Sequence, residues 1–276
     1  MANKNVFQSA IWEEEAEEDN PFAAKSAYCH GYNVYGDLLG KASWIQYLFL
    51  MFKGQKPSVF QAGLLENLAV VFANCGPRDH SVRAAMNGGV GGSVAAGSLM
   101  ASLAVGAGQY GGAHEVYHCV SLWNVCGQDA ETWARSVTDM QENHQEDIWL
   151  AMEHAPGFDP NGVSCPGIVL DTLTALAKYS EATSLQWLKE NRKVLEETFK
   201  CPLALTGVAG AAFHDLGFTA QEAEMLFLIF RLPGAAVHAL EQQKLGWKKF
   251  PFVGDMIHLE NDPGFKGMPQ IKGINS

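Results

Sequence analysis

The 276-residue chain is poor in charge: Asp, Glu, Lys and Arg together make up 18%, and only 19 residues are basic. A nucleic-acid binder needs a basic stripe or patch, and a formal net charge of -11 supplies none. Six of the acids fall in one run, Glu13, Glu14, Glu15, Glu17, Glu18 and Asp19, so the acidity is concentrated in a solvated N-terminal segment. None of the six cysteines, Cys29, Cys75, Cys119, Cys126, Cys165 and Cys201, forms a CxxC pair. A chain this long has no need of disulfide staples, so free thiols in a reducing compartment are expected. No stretch reads as the roughly 20 apolar residues of a membrane span, and the start lacks an apolar core of signal-peptide length. A cytoplasmic protein is therefore expected, with no membrane or nucleic acid among its partners. No GxSxG occurs, and neither glycine-rich stretch is followed by the Gly-Lys-Ser/Thr of a phosphate-binding loop.

Hydrophobic residues make up 47%, enough for a sizeable core. Their spacing is helical. Ser43 caps a segment through Phe52 that stops at Gly54, and Pro57-Ser58 opens another that closes near Gly76. Ser93 to Val105 is a helix of small residues, expected at the centre because small residues allow close approach. Gly112–Val125 ends at Gly127, and Asp129 caps the next helix. Further helices are predicted from Pro166 to Tyr179, Ser184 to Phe199 and Leu203 to Leu216. Thr219 and Glu222 form a capping box. The helix they start meets Pro233, where it is expected to kink or restart. Few runs alternate apolar and polar in the strand manner, and no hairpin dipeptide lies between such runs, so the fold class is all-α.

Four constellations carry possible chemistry. His114-Glu115-Val116-Tyr117-His118 matches HExxH, in which two histidines on one helix face hold zinc and the glutamate polarises a bound water. A third ligand is lacking, because Gly127 breaks the helix before Asp129 and Glu131; the competing reading is a buried helix start with His114 near a pocket. No metal is assigned. Asn87–Gly92 and Gly106–Gly112 allow either close backbone approach to an anion or tight helix contact. Asp79-His80 is either a pair facing a pocket or a surface turn. Arg231 sits in the apolar run Phe227–Pro233 and needs a partner, either a ligand carboxylate or an internal acid. Lys244, Lys248 and Lys249 form a basic cluster that can meet a phosphate or simply solvate the surface.

The order of several short motifs resembles the citrate synthase superfamily, most closely its compact citryl-CoA lyase-type branch. The segment His30–Ser43 is similar to an early RGYD…LIGK-S stretch. Phe52–Pro57 is similar to an L-x-G-x-x-P turn, and Gly111–Glu115 to a GGA-x-E helix start. Gly207–Asp215 resembles the helix after a catalytic aspartate. Arg231, His238, Glu241 and Gln242 match a late R-x-x-G-x-x-x-H-x-x-x-Q pattern, and Phe252–Gly254 a YVG tail. The resemblance implies a helical homodimer, or association with a related citrate synthase-like subunit. Its large domain is residues 30–112 and 203–276, its small domain 113–202, after an acidic segment at 1–29. It implies chemistry on a coenzyme A thioester and a keto acid: a carboxylate moves the α-proton, histidines stabilise enol and carbonyl oxygens, and arginines bind carboxylates.

The chain departs from the pattern at its reacting groups. Asn74-Cys75 stands in place of Asp-His, and Tyr110 in place of a histidine before Gly-Gly-Ala. Asp159-Pro160 follows Gly157-Phe158 where a GFGH loop is usual, and Thr206 occupies the place of the catalytic aspartate. The expected site is accordingly rebuilt, with Asp159, His114, Tyr110 and His80 as catalytic candidates. Arg231, Asp79, Thr206 and His238 are candidates for substrate binding, and Lys248 and Lys249 for the coenzyme. A catalytically inactive subunit that keeps the fold and binds a ligand or a complete paralogue is the competing reading.

Overall fold

A computed structural model describes residues 8–142 and 154–251. The first ordered elements are strands, which the sequence reading missed. β1 (Glu13–Ala16) pairs antiparallel with β2 (Ala24–Cys29), and β2 with β3 (Tyr32–Asn33). His30 and Gly31, at φ 47° and 81°, form the two-residue turn that brings Cys29 opposite Tyr32. Two consecutive positive φ values give the turn whose twist suits a hairpin, and Gly at the second position makes it accessible. Ala27 and Cys29 are buried, while every residue of β1 is exposed. The acidic run is thus solvated as expected, but part of it is a strand. His30 Nε2 lies 3.2 Å from the Met51 carbonyl, fastening the hairpin to the helical body.

That body consists of helices, several of which start at side-chain caps. α1 (Trp44–Lys53) and α2 (Val59–Ala73) begin with reciprocal boxes, Ser43 with Gln46 and Ser58 with Gln61. Gly54 ends α1 in the left-handed conformation. α3 (His80–Val90) is capped by Asp79. α4 (Ala95–Gly106), α5 (Ala113–Cys126), α6 (Ala130–Glu142), α7 (Gly167–Leu176), α8 (Thr183–Phe199) and α9 (Leu205–Asp215) follow. α10 (Ala220–Leu245) starts at the Thr219–Glu222 box. It runs through Pro233 without the expected restart. Contacts with α2, α3, α4 and α5 hold it on both sides of the proline, and they offset the one missing backbone hydrogen bond. By length and composition alone α10 is apolar enough to cross a membrane, a property shared by core helices. Among the described residues it has the neighbours of a core helix.

One hydrophobic cluster extends from α1 to α10. Leu64, Leu65 and Leu68 of α2 share this cluster with Val116, Val120 and Trp123 of α5, Phe213 of α9 and Phe227 of α10. Each such side chain removed from water contributes about 1.5–3 kcal/mol. Edge-on aromatic contacts, such as Phe72 with Phe227 at 4.7 Å, fix their orientation.

α4 corrects a second expectation. It is not central: Val94, Met100 and Val105 are 77%, 62% and 47% exposed. Only its Ser98, Ser102 and Gly106 side is buried, against α3 and α10. Small residues set close approach on that one side, and the other side carries apolar residues outward. Two of the glycines of 87–92 serve the same contacts. A Cβ on Gly88 would lie 2.6 Å from Ser98 Oγ, and one on Gly89 2.3 Å from the Ala239 carbonyl oxygen. Gly88 and Gly89 are therefore consumed by helix contacts, while nothing lies within 4 Å of a Cβ on Gly92.

Candidate active site at the glycine junction

The turn 107–112 between α4 and α5 is the hub of a polar network. Gly111 donates its N–H to Glu115 Oε2 at 2.6 Å, and its carbonyl accepts from Arg231 Nη1 at 3.2 Å. Glu115 is 2% exposed, and its other oxygen accepts from the Gly157 N–H at 2.9 Å. His154 Nε2 lies 3.4 Å from that same oxygen. The Tyr110 ring stacks on His154, centroids 5.1 Å apart and planes 22° apart. One buried carboxylate therefore joins the junction, the first turn of α5 and the loop at 154–159. Its position in the first turn also suits the positive end of the helix.

This geometry settles the HExxH string. Both Glu115 oxygens are taken by backbone amides, so Glu115 is not placed to polarise water beside the histidines. His114 and His118 face each other, Nε2 to Nε2 at 3.2 Å, and His114 Nδ1 is 3.1 Å from Glu224 Oε1 on α10. Burial, helped by the neighbouring His114, pushes His118 below the ordinary histidine range. The two rings share hydrogen bonding on the outer side of α5, while Glu115 serves the inner side.

The Gly157 loop is held against the start of α9. Ala204 N–H donates to the Gly157 carbonyl at 2.9 Å, and Asp159 N–H to the Pro202 carbonyl at 2.8 Å. A Cβ on Gly157 would come within 2.6 Å of Gly207 Cα, so two backbones touch there and neither position has room for a side chain. Thr206, 3% exposed, precedes that contact. Asp159 turns away from the junction: its Oδ1 accepts from the Asn161 N–H at 2.9 Å, closing its own turn.

Arg231, 5% exposed, reaches Asp79 through Nη2 and lies over the Phe227 ring at 5.0 Å. The internal-acid reading of Arg231 is the one the structure contains. Asp79 also accepts from the Ser81 and Val82 amides and from the Ser81 hydroxyl. Burial would raise its carboxyl; the Arg231 guanidinium, the Ser81 hydroxyl and the Val82 amide outweigh it and hold the group below the usual range. Asp79 thus belongs to a helix cap joined to an ion pair, and His80 beside it is exposed. Cys75 lies within reach of both charges, and burial raises its thiol. Two turns further along α10, His238 Nε2 is 3.0 Å from Asn74 Oδ1, so the substituted Asn74 is used to hold that histidine.

Lys248 and Lys249 are exposed in a single turn (Trp247–Lys249) beyond α10. Seventeen residues of helical rise would put them about 25 Å from Arg231 along the axis. The structure brings Tyr110, Thr206, Arg231 and Asp79 onto or beside the network, His114 onto its outer edge, and His238 onto the α10 extension. It leaves His80, Asp159, Lys248 and Lys249 apart. Phe252–Gly254 lies outside the described residues. His154 went unnoticed in the sequence, because a lone histidine before Ala-Pro-Gly carries no motif. Two grooves lie elsewhere among the described residues, one lined by Cys165, Arg192 and Cys201, another by Tyr117, Asn124 and His214.

No family model matches the chain, and no curated protein matches it by sequence. Solved structures do match. Citryl-CoA lyase from Hydrogenobacter thermophilus is similar at TM-score 0.62 and 17% identity, over 97% of each chain. ATP citrate lyase from Methanothrix soehngenii, solved with citrate and coenzyme A, is similar at TM-score 0.68 and 17% identity; it covers all of this chain, which spans 44% of that one. Citrate synthase from Thermoplasma acidophilum, in a ternary complex with carboxymethyl coenzyme A and oxaloacetate, is similar at TM-score 0.53 and 12% identity, over 85% of this chain and 59% of that one. The all-α expectation holds for the body of the chain, and its fold is like that of these citryl-CoA lyase, ATP citrate lyase and citrate synthase structures.

Proposed function

We propose that this protein binds a coenzyme A thioester and a carboxylated partner, and makes or breaks a carbon–carbon bond between them at a rebuilt site. One observation carries the reading. Among the described residues, the buried side-chain atoms without a hydrogen-bond partner are His154 Nδ1, Thr206 Oγ1, Arg231 Nε and His238 Nδ1. Three of the four residues are those that the family resemblance marks for substrate binding. An unsatisfied buried polar atom costs about 1–3 kcal/mol, and a polar ligand is an economical way to remove that cost. Ligands solved with the similar proteins, citrate, coenzyme A and oxaloacetate, have the required polarity.

In this reading Arg231 meets the ligand carboxylate from within its pair with Asp79, and Thr206 and His238 donate or accept at its polar groups. Tyr110 closes over the reacting end. His114 borders the cleft; Lys248 and Lys249 meet coenzyme phosphates, and His80 and Asp159 reach the reacting groups, only on domain closure or from a second subunit. A second copy of this chain is the proposed occupant of the exposed apolar side of α4. Incubation with citryl-CoA and other 3-hydroxyacyl-CoA thioesters, and with acyl-CoA plus keto acid pairs, tests the activity by release or consumption of the keto acid. Turnover of any pair supports it; none across a broad panel removes it.

A second reading is favoured by a specific observation. Thr206 has no carboxylate, Glu115 is clamped by two amides, and Arg231 is already neutralised by Asp79. Such a chain would bind ligand without turning it over, alone or with a complete citrate synthase-like subunit. Ligand binding by calorimetry with no turnover, unchanged by Thr206→Asp, is its signature.

A further inference from the structure

We propose that His154 is the proton-transferring residue of this site, with Nδ1 as the working atom and Glu115 as the positioning residue behind it. The inference rests on the reading above, and it supplies the base which that reading lacks. His154 is 5% exposed, yet Nδ1 has no partner. Its other nitrogen faces Glu115 Oε1 at 3.4 Å. A carboxylate oxygen accepts, so a neutral ring in this position donates from Nε2 and keeps its lone pair on Nδ1. This is the logic of a base oriented by a buried acid: the acid fixes tautomer and ring angle, and stabilises the cation that forms.

The surroundings hold the ring in place. Glu115 is itself clamped by the Gly111 and Gly157 amides, so it cannot swing to follow another partner. Tyr110 covers one face of the imidazole and is 53% exposed on its own outer side, so the base lies one ring's thickness beneath the surface. Gly157 follows three residues later and abuts Gly207, next to Thr206. The loop that carries His154 thus runs to the neighbour of Thr206, where the carboxylate is missing.

The substrate class is a carbon acid α to a thioester carbonyl. His154 Nδ1 takes the α-proton; the C–H pair becomes the enolate double bond as the carbonyl pair moves onto oxygen. The enolate carbon attacks the keto carbon, the new C–C bond forms, and the keto oxygen takes the proton back from Nδ1. Cleavage is the same sequence reversed, and no further reactant is needed.

Two measurements on the full chain test this. Calorimetry with acetyl-CoA reports whether thioester binds. Mass spectrometry then follows loss of deuterium from methyl-deuterated acetyl-CoA, with and without L-malate as a carboxylated companion. Wild type should bind and lose label, while His154→Gln should bind equally and lose label about 100-fold more slowly or worse. Failure of wild type to bind removes the proposed function. Binding without washout, or washout unaffected in His154→Gln, overturns the role of His154 alone. Should that variant not fold, nitrogen-15 NMR of wild-type imidazoles decides: the expected form has the proton on Nε2 and an Nδ1 resonance that moves on adding acetyl-CoA. A proton on Nδ1, or a resonance that ignores the thioester, overturns it.

Discussion

Arg231 and Asp79 are held by each other in a place where neither is dispensable. Arg231 is nearly inaccessible, and Asp79 caps α3 as well as pairing with it. Removing one partner leaves a buried charge uncompensated, which typically costs 3–5 kcal/mol. Asp79→Asn should therefore lower stability by about 3 kcal/mol in urea unfolding. Adding Arg231→Met should recover part of that loss, so the double-mutant cycle should show coupling. Additive losses would mean that the cap, not the ion pair, is what Asp79 contributes. The pair was half legible in the sequence. An arginine in an apolar run demands a partner, but only the tertiary structure brings α3 and α10 together and chooses which of 30 acids that partner is.

At the scale of elements, helix starts and helix contacts obey different rules. Starts depend on a few consecutive residues, so Ser43, Ser58, Asp129 and Thr219 could be recognised directly. Contacts depend on what lies opposite, and glycine shows this. Gly89 and Gly167 both lie in helices at ordinary negative φ. An added methyl at Gly89 would press on the Ala239 carbonyl oxygen at 2.3 Å, whereas nothing lies within 4 Å of one at Gly167. Gly89→Ala should destabilise by about 1–3 kcal/mol, because overpacking exceeds the gain in helix propensity. Gly167→Ala should stabilise by up to about 1 kcal/mol, although its place in the first turn moderates the gain. Thermal unfolding of the two variants measures the contrast, and equal effects would contradict the packing account. The same dependence on neighbours explains why α4 was placed at the centre and lies at the surface. Its small residues specify one close face and say nothing of the other.

For the whole molecule, acid should be more disruptive than base near neutrality. Burial depresses His118, with His114 adding to it; burial also depresses His214, against an opposing pull from Asp215. Their folded pKa values lie below the unfolded value of about 6.5, so the unfolded chain binds more protons below that point. Their contribution to stability is complete above about pH 6.5 and is lost as pH falls toward the folded values. Melting temperature should drop from pH 7.5 to 5.5, and His118→Gln should flatten the slope. A wild-type profile level over that range would contradict this. The exposed apolar side of α4 makes the second prediction at this scale. If two copies meet there, sedimentation should show a dimer, and Met100→Glu should shift it to monomer; a wild-type monomer at all concentrations would remove the proposed homodimer.

The sequence by itself determined the helical class, most helix starts and the family likeness, because periodicity, caps and ordered short motifs are written in neighbouring residues. It also located the glycine junction and Arg231. It did not reveal the hairpin at His30-Gly31, since a pair of positive φ values is only one option for that dipeptide. Tertiary structure alone decided which polar atoms are buried, which are paired, and which are left over. Glu115 became a clamp rather than a zinc-site base because two backbone amides from distant segments converge on it. His154 became visible for the same reason: a buried imidazole with one nitrogen engaged and one free is a property of surroundings assembled from α5, the junction and the 154–157 loop, and no local pattern records it.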